Sequence, residues 1–227
     1  MTRLIALETS GTSCSIAVHV AGVWVENTQN VDRLHNEVLL VQLQGLLAEA
    51  AVSPRGVELI VFAAGPGSFT GIRLAAAAAQ ALAFASGARI VPVSSSEALV
   101  TRARALSDVG QRVVTVTRSR RDAYYVSGWD QLSDQRPRCV LPEQLLQGDA
   151  VVLPSTCHGW EGVGDMPPWW KTGGGGNWVA GGTGGARTVG EIGLKRHLAG
   201  ESVDAAQGLP IYVAGDSPWK PSQPDPR

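Results

Sequence analysis

Cysteine is scarce in this chain, and what there is forms no pattern. Cys14, Cys139 and Cys157 are odd in number and make no CxxC pair. That argues against a disulfide framework or a cysteine zinc site and for a reducing compartment. Histidine is equally sparse. His19, His35, His158 and His197 stand apart, so no HxxxH or HExxH pair sets two imidazoles on one helix face, and no metal site is expected. Net charge is nearly absent too, at -1 from 19 basic and 20 acidic residues. No global field drives the chain onto nucleic acid or an anionic membrane. The opening MTRLIALETS lacks a signal-peptide core, and the longest apolar run reads as too short and too rich in alanine to cross a bilayer. A soluble, cytoplasmic protein without membrane partners is expected. There is no G-x-S-x-G elbow, and Ser94-Ser95-Ser96 reads as the cap of a following helix.

What the chain does have is concentrated between Leu59 and Gly87: an apolar strand, a glycine-rich turn and a helix with almost no polar face. Gly65, Gly67 and Gly71 bracket the turn GPGSFTG, where side chains would obstruct tight turning or close approach. The turn resembles a phosphate cradle at a helix start but lacks the Gly-Lys-Ser/Thr ending of a P-loop. The structural reading is preferred: Ser68 or Thr70 caps the helix, and Arg73 forms a local ion pair or reaches across an interface. Between Leu74 and Ala85 only Gln80 is polar. One sheet cannot cover such a helix on all sides, so part of it should await a partner.

The rest falls into alternating elements. Leu4 to Leu7 and Cys14 to Val20 flank the turn formers Glu8 to Ser13, giving a hairpin, and Val23 to Val25 continues it as a third strand. Leu39, Leu43, Leu46 and Ala50 recur at helical spacing. A strand from Arg89 to Val93 and a helix from Ser95 to Leu106 complete a β-β-β-α-β-α-β-α order, which implies a mixed sheet flanked by helices. Strands Arg112 to Thr117 and Tyr124 to Ser127 faintly repeat the opening hairpin. The stretch from Pro167 to Gly185, PPWWKTGGGGNWVAGGTGG, reads as a long flexible loop. Its tryptophans Trp169, Trp170 and Trp178 either stack on bases or fold onto the protein, the second being preferred. Thr188 to Leu198 reads as a last helix, Leu209 to Val213 as a terminal strand, and Pro221 to Arg227 as a frayed tail.

These motifs resemble a known family. LIALETSGTSCSIAV at the start, His35 at the opening of the first helix, GPGSFTGIR with its alanine-rich sequel, and the closing Pro210-Ile211-Tyr212 with Trp219-Lys220 are similar to the TsaB family, also called YeaZ. The resemblance implies an α/β, actin-like fold of two ribonuclease-H-like halves, with mixed sheets flanked by helices. It implies a non-catalytic subunit that binds TsaD, the enzyme that places threonylcarbamoyl on N6 of adenosine 37 in tRNAs reading ANN codons. TsaE would be reached through the TsaB-TsaD complex, tRNA only indirectly, and the chain alone would form a homodimer. No cofactor is implied. The expected partner interface comprises Leu39, Leu43, Leu46, Ala76, Ala79, Gln80 and Ala83, and the structural motif comprises Gly65, Gly67, Ser68, Thr70, Gly71 and Arg73. Expected divisions are residues 1–106, 107–220 and a tail at 221–227.

Departures from the family pattern are visible. Ala75 and Ala81 stand where the family often has glycine, each favouring the helix by up to about 1 kcal/mol. In the second half Arg120 and Tyr125 match an Asp-Ala-Arg segment with nearby Glu and Tyr, but the acidic positions do not. An autonomous ATPase or phosphotransferase of the same fold is the alternative. It needs two phosphate-holding hairpins and an acid for the metal, whereas Arg118 to Asp122 contains no glycine.

Overall fold

A computed structural model describes residues 2–31, 34–107, 109–120, 122–130, 136–148, 151–180 and 183–213. The first half opens with strands β1 (Leu4–Glu8), β2 (Ser13–Val20) and β3 (Val23–Asn30), followed by helix α1 (His35–Glu49). Strand β4 (Leu59–Gly65), helix α2 (Phe69–Ser86), strand β5 (Arg89–Ser94) and helix α3 (Ser95–Leu106) follow. The second half contributes β6 (Arg112–Arg120), β7 (Ala123–Asp130), β8 (Arg138–Gln147), β9 (Glu161–Gly164) and β10 (Trp178–Ala180), and then α4 (Ala186–Leu198).

Two five-stranded sheets result, ordered β3-β2-β1-β4-β5 and β8-β7-β6-β9-β10. The pairings correspond strand by strand. In each, two antiparallel pairs form the meander and two parallel pairs extend it. The faint hairpin repeat is therefore a full repeat of topology, and the duplicated ribonuclease-H-like half defines the actin-like architecture. Sequence reading missed β8, β9 and β10. Strand β8 has an exposed and half-buried pattern with Pro142 inside it, and β9 and β10 are only 4 and 3 residues long.

The alternating burial rule sorts the first sheet's side chains. One face, with Ile5, Leu7, Ile16, Ile60 and Phe62, packs on α1 and α2. The other, with Leu4, Ala6, Leu59, Val61 and Val91, packs on the start of α3 and on α4. Residues 186–198 follow the second half in chain order yet cover the first sheet, and Gly190 and Gly193 let α4 lie close: a Cβ at Gly193 would strike the Val61 side chain. Helix α3 is shared, for its Leu99, Val100 and Ala103 meet Val113, Trp129 and Val163 of the second sheet. An ion cluster around one buried carboxylate ties the junction. Glu97, 3% exposed, receives Arg196 of α4 and Arg136 from beside β8, while Ser96 donates to Glu143 of β8 at 2.6 Å.

The glycine and tryptophan segment is not the mobile loop that its composition suggested. Trp170 is 0% and Trp169 2% exposed, and both pack with Val114, Val116, Tyr124 and Val126 over the outer face of the second sheet. Trp170 meets Trp178 edge to face at 4.9 Å and donates its indole N–H to the Gly176 carbonyl at 2.9 Å. The glycines serve as clearance. A Cβ at Gly175 would run into the Trp170 ring, and one at Gly176 into the Gly159 backbone. Two indoles bury enough area to offset the backbone entropy that the glycine count alone predicts to win. The expected terminal strand is likewise absent: Leu209 to Val213 runs as an irregular strap, with the Ile211 amide donating to the Ala64 carbonyl at 2.8 Å. Trp219, Lys220 and the tail at 221–227 lie outside the described residues.

Candidate functional site

The GPGSFTG turn is a knot between three parts of the chain. Ser68 caps α2, its Oγ accepting the Gly71 amide at 3.3 Å, and the Ser68 amide donates to the Ser10 carbonyl at 2.7 Å. Thr9 donates its hydroxyl to the Gly71 carbonyl at 2.8 Å. The three glycines are close-approach positions. A Cβ at Gly67 would lie 2.5 Å from the Ser10 carbonyl oxygen, one at Gly65 2.9 Å from that of Ile211, and one at Gly71 would overlap that of Thr9. Thr9 thus bonds across to the turn and ties the first hairpin to it. Thr70 is exposed at the start of α2. Among the described residues Arg73 makes no ion pair; its guanidinium lies 3.5 Å over the Phe69 ring, and its Nε donates to the Tyr212 hydroxyl at 3.0 Å. That contact pins the strap to the turn. Sequence reading missed Tyr212's part because the two residues are far apart in the chain.

The interface residues read from the sequence face inward. Leu39, Leu43, Leu46, Ala76, Ala79 and Ala83 are each at most 4% exposed in the first sheet's core, and Gln80 is half-buried. The periodicity that singled them out is that of the stripe a helix turns to its own sheet. The outer stripe is different. On α2 it is Arg73, Ala77, Ala81, Phe84 and Ala85, and on α1 it includes Val41, Gly45 and Ala48. Phe84 is 87%, Val41 71% and Leu40 63% exposed. Helix α2 is also the one described helix long and apolar enough to cross a membrane by length and composition, contrary to the reading of its run as too short. Its inner side is locked into the core.

A cleft of about 1090 Å³ lies between the halves, bounded by the first hairpin (Ser10 to Ser13), the starts of α1 and α2, and the end of β6 (Val116 to Ser119). Glu8, the acid beside the first hairpin, is buried and turned into it, its Oε1 accepting from the Ser10 amide and hydroxyl. At the second hairpin the Arg118 amide donates to Asp165 at 2.8 Å. Burial pushes the Cys14 thiol up to about 11, with the Glu8 carboxylate adding to it.

Two topologically matched sheets, a hairpin-to-helix knot and an outward apolar helix pair define an actin-like two-half protein. The comparisons narrow the class. The family model described as "TsaD: tRNA N6-adenosine threonylcarbamoyltransferase" matches residues 25–143. The "tRNA threonylcarbamoyladenosine biosynthesis protein TsaB" of Haemophilus influenzae is 30% identical over 122 residues, 54% of this chain and 52% of that protein. Its Escherichia coli namesake is 29% identical over 92 residues, 40% of each chain. The chain spans about half the length of the curated relatives it matches. The structure of YeaZ from Pseudomonas aeruginosa superposes with a TM-score of 0.81 at 31% identity, over 94% of this chain and 100% of that one. This chain belongs to the TsaB (YeaZ) family.

Proposed function

We propose that the chain is a non-catalytic subunit of the machinery that makes N6-threonylcarbamoyladenosine at position 37 of tRNAs reading ANN codons, and that it acts by holding and activating TsaD. The observation that carries this is the outward stripe of α2, where Phe84 stands 87% exposed on the same side as Ala77 and Ala81, together with the exposed Leu40 and Val41 of α1. Large apolar groups so exposed on adjoining helices suit a helix pair from a partner. The same face serves a second copy of this chain when TsaD is absent, TsaE joins through the TsaB-TsaD complex, and tRNA is met only through that assembly. A cytoplasmic location follows from such a role. The non-catalytic reading is supported by Glu8, which is buried against its own hairpin, and by the glycine-free second hairpin from Arg118 to Asp122.

The test is Phe84→Asp. With the side chain almost fully exposed, folding stability stays within about 0.5 kcal/mol. A carboxylate forced into an interface core costs several kcal/mol, so co-purification with TsaD is lost. Retained binding by a folded variant refutes this face as the docking surface. Turnover of ATP by the pure chain, abolished by Glu8→Ala, refutes the non-catalytic role.

A further inference from the structure

The outermost strand of a sheet leaves backbone donors and acceptors unpaired, and soluble proteins blunt such edges with short strands, proline, bulges, charges or a covering segment. Of the edges of the two sheets, those at β10, β8 and β5 are blunted. Strand β10 is 3 residues long, β8 holds Pro142 and breaks register against β7, and β5 contains Pro92 and is bridged by Val203, which exchanges both amide bonds with Ile90. Strand β3 has none of these devices. It runs 8 residues in unbroken register with β2 and without proline, and its one charge, Glu26, is engaged by the Ser15 hydroxyl and the Arg187 amide of α4. Among the described residues, only the Gln42 side chain reaches its backbone from outside the sheet, donating to the Asn27 carbonyl at 2.6 Å.

Beside that edge lies a groove of about 470 Å³, lined by Asn27 and Gln29 of β3 and by α1 from Glu37 to Glu49. Val38, Val41 and Gly45 make its middle apolar, while Glu37 and Glu49 stand exposed and, among the described residues, without an ion pair. We propose that the open edge of β3, with this groove beside it, adds a short basic extended segment of a partner protein as a sixth strand of the first sheet. It is a second protein surface, adjoining the helix face argued above for TsaD and sharing Val41 with it. A strand laid against β3 directs every second side chain over the groove. At 1.5 Å per helical residue Glu37 and Glu49 are about 18 Å apart, a span that an extended chain covers in about six residues. Cations at the first and seventh positions therefore reach both acids, with apolar side chains between them over Val41 and Gly45. Main-chain bonds supply the affinity, and the carboxylates choose the sequence. A second copy of this chain fits poorly, because pairing two β3 edges gathers like charges from both grooves.

The experiment titrates the full isotopically labelled chain with the end-blocked peptide Lys-Thr-Val-Thr-Val-Thr-Lys and follows it by amide NMR. Saturable shifts along Val23–Asn30 and at Glu37, Val41, Gly45 and Glu49 are expected. Glu37→Gln and Glu49→Gln, both at exposed helix positions, should each weaken binding about twofold to fivefold with unchanged melting, and the peptide with Glu at both ends should not bind. Two further peptides, N-methylated at the valines or at the threonines, test the main-chain bonds, since an added strand pairs through only one of its edges. One of them should lose binding and the other keep it. Phe84→Asp should leave the peptide's affinity unchanged, which separates this surface from the TsaD face. Equal binding of the Glu-ended peptide, equal effects of the two N-methylated peptides, or loss of binding in Phe84→Asp overturns the proposal. So does sedimentation that shows β3 already covered by a second copy of the chain.

Discussion

The same substitution, glycine to alanine, should have opposite signs at two helical positions of this protein. Gly71 lies in the first turn of α2, and a Cβ there would overlap the Thr9 carbonyl oxygen, a backbone atom that cannot rotate aside. Forcing them apart is overpacking, at about 1 to 3 kcal/mol. It also lengthens the Thr9 hydroxyl to Gly71 carbonyl bond, worth about 0.5 to 1.5 kcal/mol. Helix propensity returns up to about 1 kcal/mol. The net expectation for Gly71→Ala is a loss of about 2 kcal/mol, or roughly 4 to 8 °C in melting temperature for a domain of this size. Gly45 in α1 is exposed, and nothing lies within 4 Å of its would-be Cβ. Only the propensity remains, so Gly45→Ala should gain about 0.5 to 1 kcal/mol. Chemical denaturation of both variants measures the difference. A neutral or stabilising Gly71→Ala refutes the claim that the turn's glycines exist to seat it against the first hairpin.

Trp170→Ala should cost about 3 to 5 kcal/mol, because it empties a fully buried site and removes an edge-to-face ring contact; a loss under about 1 kcal/mol returns the segment to a loop. Burial holds the Glu143 carboxyl above its usual range, with the Ser96 and Ser127 hydroxyls opposing more weakly. Its folded form therefore binds the proton more tightly than its unfolded form. The stabilisation is complete below the unfolded value of about 4.5 and is lost as pH rises through the folded one, so Glu143→Gln should flatten that decline in denaturation curves. A thiol reagent at about pH 8 should modify the exposed Cys139 and spare Cys14, which is buried with its thiol pushed up to about 11; mass spectrometry of the native protein reads the site.

Local signals account for much of the first half. The strand, turn and helix from Leu59 to Gly87 were legible because apolar period, glycine placement and the Ser68 cap all act within a few residues. The second half was not, because its short parallel strands β9 and β10 are defined by pairing with β6 and with each other. Candidate contacts failed for a related reason. Helical periodicity identifies a stripe that is buried, and Leu39, Leu43 and Ala79 are buried, but period alone does not say whether the chain's own sheet or another protein does the burying.

By itself the sequence determined the alternation of strands and helices, the first hairpin, the glycine turn and the family resemblance, all of which rest on residues near one another in the chain. Tertiary structure decided the rest. It brought α4 back across the first sheet, laid Tyr212 over Arg73, and set two helix starts opposite Arg118 across one cleft. It also turned a glycine-rich stretch into the floor beneath buried tryptophans. The physical reason is that burial and close approach are properties of pairs of segments, and a chain read in order shows only one member of each pair at a time.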